Sequence, residues 1–293
     1  PWDGNEHIWP NSVFSSMDGS GYVHMITHEY RDVNNDAMQV LYSRYEYSPV
    51  TFQFTAPDAQ TLVTDMDMNI GADIAASYDG QRVAIATTMS RDHMFWPEED
   101  ASQWNNDIYL WISEDGGVTW DFANPINTNF AFPDPELLPD SLAASVDSFR
   151  AYTDCNVYFD HDGVAHVAWA SPGYFHYFGT ITYTSKIFHW DEESEEINMI
   201  ADGDFWNYTT PGSWHLTADR PNMYQDPVTR DLYCTFEQLG MPGEYTLSED
   251  STTVTPWDGS DDGLGNYEVM IAMSPADAAG DDSGREGLNK RDM

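Results

Sequence analysis

Two carboxylates flanking a glycosidic bond are the usual machinery for cleaving it, and this chain of 293 residues carries 50 aspartates and glutamates. That abundance hides any catalytic pair, because spacing alone cannot separate two working acids from a solvated acidic surface. Histidines offer a second chemistry. His24 and His28 stand four apart in a strand-like stretch, on one face, where they could share a metal ion; no third ligand accompanies them, and core or turn roles are the stronger reading. His161 lies in the turn-like Asp160-His161-Asp162-Gly163, and His166 and His176 flank another strand. Hard oxygen ligands cluster at Asp65, Asp67 and Asn69, at Asn34-Asn35-Asp36, and at Asp258, Asp261 and Asp262. Such loops suit calcium in a structural role, although none has EF-hand spacing. There is neither a Gly-x-Ser-x-Gly elbow nor a glycine-rich phosphate loop, so serine hydrolase and nucleotide chemistry are not expected.

The elements that must position these residues are set by composition. With 41% hydrophobic and 14% aromatic residues the chain can fill a large core. Its formal charge of −39 repels phosphate backbones and anionic headgroups, which argues against nucleic acid or membrane-surface partners. No run approaches the roughly 18 apolar residues of a membrane helix, and no signal peptide pattern stands at Pro1, so the chain reads as mature or trimmed. The acidic balance suits a secreted or cell-surface setting. Cys155 and Cys234 are the only cysteines, two buried thiols or one disulfide, and neither has a neighbour that would activate it.

The pattern along the chain is one of hairpins. A short strand, an Asp-Gly turn and a second strand of small and aromatic residues recur at 13–27, 74–88 and 157–170, and a fourth copy at 223–237 turns through Asp226-Pro227-Val228-Thr229-Arg230. Asp-Gly supplies the positive φ of tight turns. A third strand follows each hairpin and is expected to end on Ser43, Ser113, Ser185 or Ser274, which lie 70, 72 and 89 residues apart. A fainter echo links the stretch before the first hairpin, Glu6-His7-Ile8-Trp9-Pro10-Asn11, with that before the fourth, from Ser213-Trp214-His215-Leu216 up to Pro221-Asn222, and Pro1-Trp2-Asp3-Gly4 recurs at 256–259. Sustained helical periodicity is missing. The expectation is an all-β fold, a β-propeller of four-stranded antiparallel blades with long inserted loops, forming a ring or part of a longer one. Residues 1–293 would be a single domain with repeat units of roughly 1–60, 61–136, 137–205 and 206–293.

Ser113-Glu114-Asp115-Gly116-Gly117-Val118-Thr119-Trp120 fits Ser-x-Asp-x-Gly-x-Thr-Trp and resembles the Asp-box of the sialidase-like (BNR-repeat) propellers. The resemblance implies a structural hairpin in which Ser113, Asp115, Gly117, Thr119 and Trp120 organise the turn. Sialidases of that architecture use an arginine triad, a tyrosine–glutamate pair and an aspartate acid/base. The nine arginines here spell no such triad, and only Arg44, Arg91 and Arg220 with Tyr47 could be assembled into one. The functional expectation is therefore a non-catalytic extracellular binding or assembly module, contacting another protein, copies of itself or a glycan. Its contact loops would carry Phe95 and Trp96, and Tyr174, Phe175 and Tyr177. The alternative is a glycoside hydrolase of sialidase-like architecture.

Overall fold

A computed structural model describes residues 6–17, 20–32, 35–55, 61–64, 71–90, 106–127, 148–175, 180–203, 216–239, 245–247, 254–256, 267–274 and 289–290. All regular structure among them is β. The first sheet runs β1 (Glu6–Met17), β2 (Ser20–Asp32), β3 (Asn35–Ser48) and β4 (Gln53–Thr55), with β5 (Thr61–Thr64) also paired to β3. The second is β6 (Gly71–Ala76), β7 (Val83–Ser90), β8 (Asn106–Ser113) and β9 (Ile126–Asn127). In the third, β10 (Ser148–Phe149) and β11 (Cys155–Phe159) both pair with β12 (Ala165–Phe175), followed by β13 (Thr180–Asp191) and β14 (Ile197–Asp202). The fourth begins β15 (Ala218–Gln225) and β16 (Leu232–Leu239); a separate hairpin of β17 (Tyr245–Leu247) and β18 (Val254–Pro256) precedes β19 (Tyr267–Ser274) and β20 (Asn289–Lys290).

Every pairing is antiparallel, and strand order within each sheet follows chain order. The first full strand of each sheet lies beside that of the next, β1 against β6, β6 against β11 and β11 against β15. Sheets that meet through their first strands radiate from a common axis, and this is the architecture of a β-propeller.

A blade held between two others must bury both faces, and β7 shows how its sequence does so. Val83, Ala84, Ile85 and Ala86 are all fully buried. Val83 and Ile85 face the first sheet, packing with Ile26, Val40 and Tyr42. Ala84 and Ala86 face the third, where small side chains leave room for Trp169 and Phe188. A third apolar layer, including Ala168, Ile187, Leu216, Cys234 and Phe236, joins the third sheet to the fourth. Arg82 closes the second and third sheets at their hairpin ends: it pairs with Glu114 and Glu192, each at 2.8 Å, and donates to the Gly163 carbonyl.

Two expectations are corrected here. Ser113 and Ser274 do end their strands, opposite the first residues of β7 and β16, but Ser43 and Ser185 lie inside β3 and β13, opposite Met25 and Pro172. The third strands of these sheets continue because their hairpins are longer, so the four serines are not equivalent. Tyr174 and Phe175 belong to β12 and not to a loop, since Tyr174 pairs across both edges of that strand with Ser148 and Ile181. Both cysteines are free thiols.

Candidate functional site at the propeller axis

The first strands bring polar side chains to the axis. Asp73, Asn156 and Asn222 each stand three residues before the last residue of their strand, Ala76, Phe159 and Gln225. Asn11 joins them from β1. Asp73 Oδ2 accepts from Asn156 Nδ2 at 2.7 Å and from the Val157 N–H at 2.9 Å, while Asn11 Nδ2 donates to Oδ1. Asn156 in turn accepts the Met223 N–H at 2.8 Å. These bonds tie the four sheets together around the axis. Burial raises the Asp73 carboxyl above its ordinary value of 3.8, against the opposing bonds from Val157, Ile74, Asn156 and Asn11.

Beside this girdle is a cavity of about 300 Å³, lined by the first residues of β6 and β11 and by mid-strand residues of β1 and β15. Among the described residues its lining is predominantly polar, with Asn11, His28, Asp73, Asp154, Asn156 and Asn222 from all four sheets, and it includes no arginine. Asp154 is carried on the segment between β10 and β11. That segment is pinned from several sides: the Arg150 and Tyr152 N–H groups donate to Pro172 and Ala170, and Asn106 Nδ2 donates to the Tyr152 carbonyl at 3.2 Å. Arg150, 1% exposed, forms a buried ion pair with Asp107 at 3.0 Å. Gly71 completes the seat, since a Cβ there would overlap the Thr153 carbonyl oxygen.

Behind Asp154 lies Asp219, fully buried. Burial first, then the charge of Asp154 and a hydrogen bond to it, push the Asp219 carboxyl up to about 8. These causes favour the protonated form of Asp219, which can donate to Asp154. A β-bulge delivers Asp219: β15 advances from Asp219 to Asn222 while β16 advances only from Glu237 to Thr235. Within the bulge Arg220 adopts a φ of 52°, and its N–H and that of Leu216 donate to the Asp219 carboxylate at 3.0 and 3.3 Å.

The remaining sequence candidates fall elsewhere. His24 has both ring nitrogens engaged, by Ser15 and by the Tyr42 hydroxyl, each at 2.7 Å, and burial with the nearby Arg44 charge lowers it to about 4, so no metal pair forms with His28. Of the arginine candidates, Arg44 lies over the Tyr22 ring at 3.6 Å and Arg220 pairs with Glu237 at 3.3 Å, neither lining the axial cavity, and Arg91 is outside the described residues. The calcium candidates Asp65, Asp67, Asn69, Asp258, Asp261 and Asp262, and the contact-loop residues Phe95, Trp96 and Tyr177, also lie outside them. Ser113–Trp120 forms a tight turn at the far end of β8. Asp115 accepts from Ser113, Val118 and Thr119 at 2.7–3.1 Å, and Trp120, part-buried, packs edge-on against Tyr42 at 5.0 Å. Gly117, at φ 77°, sits where any Cβ would strike the Tyr42 hydroxyl.

Sequence reasoning missed Asp73, Asp154 and Asp219. One signal was available: Gly71-Ala72-Asp73-Ile74-Ala75-Ala76 sets an acid inside an otherwise apolar strand, where a charge is costly unless it has work to do.

No family model matches this chain, and no curated protein matches it. Among solved structures, it is similar to an N-acetylgalactosamine deacetylase from F. plautii in complex with blood group B trisaccharide (11% identity, TM-score 0.49, covering 93% of this chain and 73% of that one). It is similar also to the GH93 α-L-arabinofuranosidase of Fusarium graminearum in complex with arabinobiose (13%, 0.46, 97% and 65%) and to a thermostable family-43 glycoside hydrolase (9%, 0.40, 93% and 70%). At these identities the likeness is one of fold. The chain spans less than two-thirds of the arabinofuranosidase. The expectation of a non-catalytic binding or assembly module is corrected to this extent: the solved structures this chain is similar to are a deacetylase, an arabinofuranosidase and a glycoside hydrolase.

Proposed function

We propose that the axial cavity is the active site of a glycoside hydrolase acting on a neutral glycan. The observation that carries the reading is the approach of a fully buried acid, Asp219, to Asp154 at the wall of a polar cavity that Asp73 also lines, with burial and the neighbouring Asp154 raising the Asp219 carboxyl. A carboxyl that keeps its proton at neutral pH is what general-acid cleavage of a glycosidic bond needs. Asp154 faces the cavity and delivers the proton to the leaving oxygen, while Asp219 positions it and supplies the proton from behind. Asp73, held in place by its hydrogen-bond donors, lines the cavity beside Asp154 and positions the sugar ring.

Neutral substrates are favoured on two grounds. No arginine lines the cavity among the described residues, and the net charge of −39 opposes an anionic sugar. The sialidase-like, Asp-box architecture and a secreted or cell-surface location belong to the same reading, with calcium taken by the acidic sequences 65–69 and 258–262. A chelator should then lower Tm.

The decisive assay is hydrolysis of a panel of neutral 4-nitrophenyl glycosides and polysaccharides. Turnover of at least one is expected, falling about 10²–10⁴-fold in Asp154→Asn while the fold is retained. An inert wild-type protein, or an Asp154→Asn variant as fast as wild type, rejects the assignment.

A further inference from the structure

The echo between Trp9-Pro10-Asn11 and Arg220-Pro221-Asn222 is a structural repeat. In β1 the register advances from Ile8 to Asn11 while β2 moves only from His28 to Ile26; in β15 it advances from Asp219 to Asn222 while β16 moves only from Glu237 to Thr235. Each strand therefore carries the same one-residue bulge. Each bulge contains a proline, which cannot donate to a ladder and is tolerated there, and each is followed at once by an asparagine that lines the axial cavity.

The two asparagines differ in what they bind. Asn11 donates its amide to Asp73, and its Oδ1 accepts the Ser12 N–H at 2.8 Å. At the positions matching Asn222 in the neighbouring sheets, Asp73 accepts the Val157 N–H and Asn156 accepts the Met223 N–H, so each side chain clasps the next sheet. Asn222 breaks this sequence. It is exposed to the cavity, and its side chain makes no hydrogen bond among the described residues. The left-handed Arg220, the fixed φ of Pro221 and the Asp219 bonds to the Leu216 and Arg220 N–H groups hold its backbone in place. A carboxamide whose donor and acceptor have no partner among the described residues, on a backbone fixed three residues from Asp219, suits two adjacent sugar hydroxyls, one accepting and one donating.

Resting on the glycoside hydrolase reading, we propose that Asn222 is a substrate-binding residue that recognises a pair of neighbouring hydroxyls on the glycosyl unit in the axial cavity. The amide adds no charge, in keeping with a neutral sugar, and its contribution is to orient the ring against Asp154.

Three readouts on the full chain test this: sugar binding by calorimetry with free pentoses, hexoses and their oligosaccharides, KM and kcat on any hydrolysed 4-nitrophenyl glycoside, and Tm. Asn222→Ala should weaken sugar binding and raise KM about thirtyfold, the effect of two lost hydrogen bonds to a ligand, with a smaller fall in kcat and an unchanged Tm. Asn11→Ala should instead lower Tm, because its amide supports Asp73. Equal sugar affinity in Asn222→Ala and wild type overturns the proposal, as does a wild type that binds none of these sugars, or a Tm loss in Asn222→Ala as large as in Asn11→Ala. If sugars bind and Asn222→Ala weakens them but nothing is hydrolysed, the binding role stands and the catalytic reading alone falls.

Discussion

Replacing Asp219 by asparagine tests the shared proton directly. The folded protein keeps the Asp219 proton up to about pH 8, whereas an exposed aspartate releases it near 3.8. Between those values the folded state binds one more proton than the unfolded chain, so each unit of rising pH removes about 1.4 kcal/mol of stability through this group. The contribution is complete below the unfolded value and lost as pH rises through the folded one. From pH 5 to pH 8 that is about 4 kcal/mol, a large fraction of a typical domain's total stability. Asparagine fills the same volume, donates to Asp154 and cannot titrate. Urea unfolding of both proteins at pH 5, 6, 7 and 8 should therefore give curves that diverge by up to about 4 kcal/mol in favour of Asp219→Asn as pH rises. Comparing the two proteins at each pH cancels the titrating groups that do not interact with Asp219. Parallel curves would show that Asp219 is ionised throughout and that the pair holds no proton to deliver.

On the acid side, His24 and His189 are held neutral by burial, at about 4 and about 3, so their contribution is present above 6.5 and is lost as pH falls; His24→Gln should flatten the wild-type stability curve between pH 6.5 and 4 in urea melts. Asp115→Ala should cost about 1 kcal/mol by exchanging the exposed Val118 and Thr119 turn bonds for water, read as a lower urea midpoint at unchanged slope. Gly71→Ala forces the Thr153 carbonyl away from β6 and with it the neighbouring Asp154; glycoside turnover should fall more steeply than thermal stability, and an unaffected turnover would separate this seat from the chemistry.

The sequence was most legible where conformation is local. Asp-Gly turns, the Ser113–Trp120 turn and the two-faced apolar run of β7 follow from φ preferences and period-2 burial, which involve neighbours in the chain. The Pro-Asn echo was visible too, though its meaning as a matched pair of bulges needs the partner strands. The serine spacing misled, because Ser43 and Ser185 share their residue type with Ser113 but not their register. The axial carboxylates were illegible for a different reason. Asp73, Asp154 and Asp219 come from three sheets, and each looks ordinary among 50 acids until the sheets meet. What distinguishes them is burial and mutual approach, properties of the assembled ring and not of any window of sequence.

The girdle around Asp73 also governs how the ring comes apart. Each blade is a meander whose strands are neighbours in the chain, the kind of local structure that could form and open on its own. Asp73 prevents that independence, because a single buried carboxylate receives donors from the first, second and third sheets, and Asn156 extends the linkage to the fourth. Opening any one blade at its inner strand strands polar groups belonging to its neighbours, so the loss is shared. Amide protons deep in separate blades should exchange with solvent in one common event, and the chain should behave as one cooperative unit in place of four modules that fray in turn.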